Sequence, residues 1–179
     1  GATGYIGNIT FGNTVTSRIT LFDCLFKAGA YAFNANTTLA SQPSYSGRVI
    51  GGTDFTNTEI WIEAVTAFTG NQSIAVTYTN QSGTAARTTG TIATGVAPIV
   101  GRMLQLPLQA GDTGVQKIES VVSTVSTVGT FNVLVLRRLW SGRVPVANSG
   151  DVHDFLKTGM PQIFADSALM AIVQPDSTA

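Results

Sequence analysis

The chain has 179 residues, of which 44% are hydrophobic and 11% are charged, and its formal net charge is zero. Ordinary soluble domains carry roughly 25% charged residues, so the polar surface must be built largely from Thr, Ser, Asn, Gln and Gly. The sequence has no basic patch that would favour binding to nucleic acid, and it has no apolar run of the roughly 18 residues that a membrane helix needs. We therefore predict a single domain over 1–179 that does not contact nucleic acid or a membrane directly.

The first seven residues, GATGYIG, have a G-x-x-G-x-x-G spacing that is similar to the phosphate loop of short-chain dehydrogenase-like Rossmann proteins. That loop binds a pyrophosphate only when a helix N-terminus follows it. Residues 8–17 are rich in Thr, Asn and Gly and have no helical period. We therefore interpret 1–13 as a flexible arm, and the polar tail 175–179 as a second arm.

Residues 16–28 are the best helix candidate of the N-terminal region. Ile19, Phe22 and Leu25 recur at three-residue spacing, and Gly29 follows as a stop. The only cysteine, Cys24, lies in this segment, and a single cysteine excludes an intrachain disulfide.

Residues 59–79 are predicted to form a β-hairpin with a turn at 69–72, read TGNQ. In both arms apolar and polar residues alternate, which is typical of a strand with one buried face. The alternating apolar positions are Ile60, Ile62, Ala64, Ile74, Val76 and Tyr78. We expect part of the opposite face, which holds Trp61, to be buried by another chain.

Four further strands are predicted over 84–92, 99–108, 115–128 and 131–140, separated by turn-forming segments such as QAGDTG. Pro107 places the end of the second of these at a sheet edge or bulge. Regularly spaced short strands separated by turns indicate an all-β protein. We expect an antiparallel β-sandwich that is jelly-roll-like. One or two short helices complete the prediction, because 150–158 also reads as a helix that ends at Gly159. A last strand is predicted over 168–173.

His153 is the only histidine, and it lies between Asp151 and Asp154. A catalytic interpretation would pair His153 with Cys24 as nucleophile, or with a serine and Asp151 in a triad. No G-x-S-x-G motif supports the triad, and a cysteine beside Leu25 is typical of a small buried hydrophobe. We predict that the protein is not an enzyme and has no catalytic, cofactor-binding or metal-binding residues.

The acidic residues do not cluster in the sequence. Glu59 and Glu63 share one strand face but are about 13 Å apart, which is too far for a retaining glycosidase pair. A zinc site is not expected from one histidine and one cysteine. Calcium at the loop 111–114, read GDTG, is an alternative to an ordinary turn.

Arg137, Arg138, Trp140 and Arg143 form a basic and aromatic cluster that would suit a phosphate, a carbohydrate or an acidic partner. Neighbouring residues of a strand point to opposite faces, so Arg137 and Arg138 cannot form one patch. We expect each arginine to make a local salt bridge or hydrogen bonds to loop carbonyls.

The segment 100–121, VGRMLQLPLQAGDTGVQKIESV, resembles part of a widespread type of phage virion protein. In that type a strand ending in LPLxAGDxGVxxIxSV leads to a G-x-F/Y-x-L-V-L-x-R strand, as in 129–137. Two more pieces are similar: L-x-D-x-L at 21–25, and Y-T-N-x-x-G at 78–83 with Arg87 and Thr88 after it. The pieces cover about half of the chain, in the expected order.

The resemblance implies a tailed-phage capsid-associated protein of the virion surface, of the decoration, cement or head-fibre-base type. Its partners would be the major capsid protein, other virion proteins and copies of itself, with a trimer favoured. The motifs are structural, so they carry over no functional residue. The alternative is a carbohydrate-binding or tail-fibre module for host attachment, which exposed aromatic residues such as Trp61 and Tyr78 would favour.

Overall fold

The structure is a computed structural model that describes residues 2–32, 36–39, 41–69, 73–93, 95, 99–123 and 128–176. These residues form strands and one short 3₁₀ helix, Ser46–Arg48, and they contain no α-helix. The strands are β1 (Thr3–Tyr5), β2 (Asn8–Asn13), β3 (Ser17–Ala32), β4 (Thr37–Thr38), β5 (Thr58–Ala64), β6 (Ser73–Asn80), β7 (Arg87–Thr88), β8 (Ile92–Ala93), β9 (Met103–Leu106), β10 (Val115–Ser123), β11 (Thr130–Val144), β12 (Ser149–Asp154), β13 (Gln162–Phe164) and β14 (Leu169–Pro175).

The contacts within the chain define two compact units. The central unit is Leu25–Leu136, and the terminal unit combines Gly1–Cys24 with Arg137–Ala179. The long strands β3 and β11 contribute residues to both units. The single domain over 1–179 stays a prediction.

The central unit contains two sheets, with strand orders β3-β11-β5-β9 and β4-β10-β6-β7; β8 also pairs with β6. If the strands from β3 to β11 are renumbered 1 to 8, with β7 and β8 together as strand 5, the two sheet orders become 1-8-3-6 and 2-7-4-5. This order is that of a jelly roll, in which two Greek keys fold into two facing sheets. The predicted all-β antiparallel sandwich of jelly-roll type is therefore confirmed.

Both sheets of the central unit contribute to one hydrophobic core. The alternating positions predicted from 59–79 all belong to it: Ile60, Ile62, Ala64, Ile74, Val76 and Tyr78. Such burial removes large apolar areas from water, which is the main driving force of folding. The sequence therefore predicted correctly which faces of β5 and β6 point inward.

The predicted hairpin over 59–79 is wrong in its pairing. β5 pairs with β9 in one sheet, whereas β6 pairs with β7, β8 and β10 in the other. The chain between them therefore connects the two sheets rather than two neighbouring strands. Residues 70–72 of the predicted turn lie outside the described residues.

Both predicted helices are wrong. Residues 17–28 belong to β3, in which residues such as Ile19, Thr20, Phe22 and Asp23 are buried on both faces of the strand. Burial on both faces removes the period of two, and the remaining apolar spacing imitates a helix. Residues 150–154 belong to β12, which pairs with β2, and a turn follows at 155–158.

The terminal unit contains β14 and the outer half of β3, together with two small two-stranded sheets. β1 pairs with β13, and β2 pairs with β12. The residues 3–5 and 8–13 of the predicted N-terminal arm are thus held in paired strands. Residue 175 of the predicted C-terminal arm ends β14, and 177–179 lie outside the described residues.

Gly114 shows why the A-G-D-T-G turn ends in glycine. It makes an isolated bridge to Thr56 beside the entry to β10. A Cβ atom at this position would overlap the main-chain carbonyl of Phe55 and would lie 2.9 Å from Thr58 Oγ1. The close approach of two backbones therefore excludes a side chain here.

Candidate functional site

Asp112 lies at the centre of a polar cluster that joins two of the motifs noted in the sequence. Tyr78 and Asn80 come from the end of β6, Arg87 begins β7, and Asp112 lies in the turn before β10. The side chain of Asp112 is 3% exposed. We name these four residues the Asp112 clasp.

Each oxygen of the Asp112 carboxylate accepts two hydrogen bonds from the other clasp residues. Oδ2 accepts hydrogen bonds from the Tyr78 hydroxyl at 2.6 Å and from Arg87 Nε at 2.9 Å. Oδ1 accepts from Asn80 Nδ2 at 2.8 Å and from Arg87 Nη2 at 3.2 Å. The Tyr78 hydroxyl in turn accepts the main-chain N–H of Gln109 at 2.9 Å. The clasp thus fixes the turn 109–112 to the end of β6.

The clasp also sets the protonation of its members. The hydrogen bond from Arg87 is the largest influence on the Asp112 carboxyl and, with those from Tyr78 and Asn80, lowers the pKa of Asp112 to about 2. Burial, followed by the bond to the negative Asp112, raises the pKa of Tyr78 to about 12. At neutral pH the clasp therefore holds a carboxylate, a guanidinium and a neutral phenol.

This geometry leaves the calcium alternative at 111–114 without support. A calcium ion needs several free oxygen ligands, and the Asp112 oxygens already accept hydrogen bonds from Tyr78, Asn80 and Arg87. Among the described residues, no group of three or more His, Cys, Asp and Glu side chains could hold a metal ion.

A buried ion pair occupies the interior of the terminal unit. Arg137 Nη2 lies 3.3 Å from Asp23 Oδ2, and the Asp23 side chain is fully buried. The Asp23 carboxylate also accepts the Ser167 hydroxyl at 2.7 Å and the Ala168 N–H at 3.0 Å. Arg137 Nη2 donates to the Gln162 carbonyl at 2.9 Å. These bonds fix the segment between β13 and β14 to β3 and β11.

The other arginines of the predicted cluster have separate surroundings. Arg138 is exposed and its guanidinium lies 6.0 Å from the ring centre of Phe22, whereas Arg137 is buried. Arg143 forms an exposed ion pair with Asp176 at 2.9 Å. The prediction that Arg137 and Arg138 face opposite sides is confirmed. Arg137 and Arg143 each form an ion pair, with partners 114 and 33 positions away. The salt bridge or carbonyl contact expected for Arg138 stays a prediction.

His153 lies in an aromatic cluster of the terminal unit. Its ring centre is 5.6 Å from that of Trp140 and 4.7 Å from that of Phe155. Its Nε2 shares a hydrogen bond of 3.0 Å with the Thr158 hydroxyl. Asp151 accepts the N–H of its neighbour Val152 at 2.7 Å. The structure therefore places His153 and Asp151 in separate contacts rather than in a catalytic pair.

The glutamates of β5 serve local contacts in the central unit. Glu59 accepts hydrogen bonds from Trp61 Nε1 and from Gln105 Nε2, both at 2.9 Å. Glu63 pairs with Lys27 at 2.6 Å. Trp61 itself is 4% exposed. The chain therefore covers Trp61 by its own fold, and no partner is needed to bury it.

Most of the large apolar side chains that the described residues expose belong to the terminal unit. The exposed members are Tyr5, Val146, Val152, Leu156, Met160, Leu169 and Val173, and we name them the apolar surface of the terminal unit. In the described part of the central unit the corresponding residues are Ile50, Ile99, Val100 and Val128. Large contiguous apolar patches mark interaction sites in soluble proteins, whereas apolar residues exposed singly are normal. Sequence periodicity did not predict this exposure, because only Tyr5 lies in a predicted arm and the other residues follow in segments predicted as a loop, a helix and a strand.

The central unit contains a cavity of about 430 Å³. Phe26, Tyr31 and Leu39 form its apolar wall, and Thr37 and Gln42 are among its polar residues. An aromatic wall beside hydroxyl and amide groups suits a small amphipathic ligand.

Comparisons with protein-family models, with curated proteins and with solved structures find no match for this chain. In the part of the chain that the structure describes, no helix has the length and apolar character that would let it cross a membrane.

Proposed function

We propose that this protein is a non-enzymatic structural component of a tailed-phage virion. It decorates or cements the capsid by packing on the major capsid protein and by associating with copies of itself. The observation that carries the proposal is the Asp112 clasp. Its residues come from the two separate pieces of sequence, 78–87 and 100–121, that resemble phage virion proteins, and direct hydrogen bonds join them.

The clasp supports the proposal because it joins the two motifs that resemble phage virion proteins by direct hydrogen bonds. Tyr78, Asn80 and Arg87 of one motif all donate hydrogen bonds to Asp112 of the other, so the two motifs support each other. The jelly roll agrees with this, since that fold recurs in viral capsid proteins, although it also occurs in lectins and cupins. The weakly charged surface suits a packing role, because few charges lose water when the protein is covered.

The apolar surface of the terminal unit is the part of the protein that we assign to virion contacts. Its members come from both ends of the chain, among them Tyr5, Leu156 and Leu169. Large apolar side chains exposed in this number are stable in water only at a cost, which a partner surface removes. The trimer favoured by the sequence stays a prediction.

Purified particles of the phage that encodes the chain test this function. Mass spectrometry should find the protein at a fixed ratio to the major capsid protein after repeated density-gradient purification. Added tagged protein of an unrelated fold, mixed into the lysate, gives the level of adsorbed contaminant. A ratio no higher than that of the contaminant would overturn the proposal.

The second candidate is a carbohydrate-binding module, and the cavity beside Phe26 and Tyr31 favours it. Polysaccharide from the host surface, titrated against the protein, would then shift the resonances of Tyr31 and Thr37. We expect Tyr31→Ala to abolish the shift at Thr37, because the aromatic wall supplies stacking on a sugar face. The exposed Tyr5→Ala serves as the matched control. Binding that Tyr31→Ala leaves unchanged would remove the cavity from consideration.

A further inference from the structure

β14 lies at one edge of its sheet, where its described neighbour is β3. The two strands pair in antiparallel register without interruption from Leu169 opposite Asp23 to Pro175 opposite Ser17. An edge strand presents a row of main-chain N–H and C=O groups on its outer side. The chemistry of that row fits one kind of partner, which is another extended strand.

The hydrogen bonds at the two ends of β14 show which groups point outward. The N–H of Cys24 donates to the carbonyl of Ala168 at 2.8 Å, and the N–H of Asp176 donates to the carbonyl of Thr16 at 2.9 Å. In an antiparallel ladder the directly opposed pairs alternate between bonded and non-bonded, so the even-numbered residues of β14 face β3. The main-chain groups of Leu169, Ala171 and Val173 therefore point away from β3, toward the open edge.

The sequence of β14 lacks the features that prevent an edge strand from pairing with another chain. Natural edge strands are protected by charged side chains, by proline or by bulges, which prevent pairing with other chains. β14 reads LMAIVQP, so it has no charge, and its only proline, Pro175, is its last residue. Leu169 is 51% exposed and Val173 is 49% exposed, whereas Ile172 on the other face is buried.

We propose that β14 pairs with β14 of a second copy of this chain, antiparallel, about a two-fold axis at Ala171. In this register Ala171 faces its own copy, and Leu169 faces Val173 of the second copy at both ends. Each of the three facing pairs exchanges two main-chain hydrogen bonds, so the interface gains about six. The side chains of these pairs all lie on the exposed face and form one apolar stripe across the axis.

The second copy is the occupant because the strand is complementary to itself. A two-fold contact places the same patch against itself, so any charge near the axis would face a like charge. β14 carries none, and its smallest side chain, Ala171, lies on the axis itself. The paired β14 strands would be the surface through which copies of the chain associate in the proposed function. The pairing rests on the proposed function only for the biological role of the dimer. The dimer is tested in solution, so its failure is separate from absence of the protein from particles.

The full chain is measured in solution by light scattering during size-exclusion chromatography and by amide hydrogen exchange. We expect a dimer that dissociates on dilution. In the dimer the amides of Leu169, Ala171 and Val173 should be protected, and they should exchange freely in the monomer. The amides of Met170 and Ile172, which bond to β3, should stay protected in both states and so report that β14 remains folded.

Ala171→Pro tests the axis directly. Proline removes an N–H that points away from β3, so the intramolecular ladder is kept, while both central hydrogen bonds between the copies are lost. Two such bonds at about 1 kcal/mol each correspond to roughly 30-fold weaker dimerisation. Ala171→Ser retains the N–H and is the matched control, which should dimerise as the wild type does. Leu169→Lys, which adds the charge that protected edges carry, should also yield monomers.

Three outcomes would overturn the pairing. The first is a protein that stays monomeric up to millimolar concentration. The second is a trimer or other oligomer in which the amides of Leu169, Ala171 and Val173 exchange freely. The third is a dimer whose mass and dissociation constant are unchanged in both Ala171→Pro and Leu169→Lys. If Ala171→Pro loses the protection of Met170 and Ile172, the Leu169→Lys variant decides.

Discussion

Replacing Arg137 with leucine is expected to lower the free energy of unfolding by about 3–5 kcal/mol. The Asp23 carboxylate is fully buried, and Arg137 is its cationic partner at 3.3 Å. After the substitution Ser167 and Ala168 still donate to Asp23, but the ion pair between Arg137 and the buried carboxylate is lost. Urea denaturation followed by circular dichroism measures the loss.

Arg143→Leu is the matched control for this prediction. Arg143 also pairs with an aspartate, Asp176, at 2.9 Å, but the arginine side chain is 66% exposed. Exposed pairs contribute about 0–1 kcal/mol, since water screens them and solvates each charge when it is alone. Equal losses for Arg137→Leu and Arg143→Leu would contradict the assignment of Asp23 and Arg137 as the buried link of the terminal unit.

A double variant separates the lost attraction from the stranded charge. Asp23→Asn removes the negative charge, and an asparagine there still accepts the Ala168 N–H and can bond to Ser167. Combined with Arg137→Leu, it should therefore recover part of the stability that Arg137→Leu loses alone. Buried ion pairs replaced as a pair are often near neutral, whereas half of a pair is strongly unfavourable.

The alternation of apolar residues was sufficient to predict the class of fold. In 59–79 it identified Ile60, Ile62, Ile74 and Val76 as core residues, and all of them are buried. The same pattern could not identify the partner of each strand, because a side-chain period of two describes a face and not a neighbour. β5 and β6 follow each other in sequence yet pair with β9 and β10 in different sheets.

β3 shows where periodicity fails. This strand is covered on both faces over part of its length, so Thr20 and Asp23 are buried as well as Phe22. Without a solvent-exposed face the apolar residues need not alternate, and their spacing in 16–28 matched a helix by chance. One edge of β3 pairs with β14, whose residues lie about 150 positions away in the sequence. The residues of 16–28 therefore contain no sign of this pairing.

The polar clusters were visible in the sequence only in pieces. The Y-T-N-x-x-G and A-G-D-T-G motifs were both noted, but no local rule shows that Asp112 accepts hydrogen bonds from Tyr78 and Arg87. The link between Asp23 and Arg137 spans 114 positions, so it too depends on the completed fold. Contacts between residues so far apart in sequence are set by the strand pairing of the whole fold and leave no local pattern.

The Asp112 clasp should make the stability of the protein depend on acid. Because the folded pKa of Asp112 is lowered to about 2, below the 3.8 of an unperturbed aspartate, protonation favours the unfolded chain. The stabilisation is fully present above about pH 4 and is lost as the pH falls toward 2. We expect Asp112→Ala to lower the free energy of unfolding by about 2–4 kcal/mol at pH 7 and to flatten this acid dependence.

The expected cost of Asp112→Ala comes mainly from the groups that cannot reach water. Arg87 is 26% exposed and can be solvated, but Tyr78 is fully buried and would keep only the N–H of Gln109 as a partner. Asp151→Ala removes an exposed carboxylate that bonds only to its neighbour Val152, and it should change stability by less than about 0.5 kcal/mol. Unfolding curves recorded from pH 7 to pH 2 compare the three proteins. If Asp112→Ala and the wild type lose stability in parallel between pH 4 and 2, the clasp is not the source of the acid sensitivity, and the hydrogen bonds at Asp112 do not hold the turn to β6.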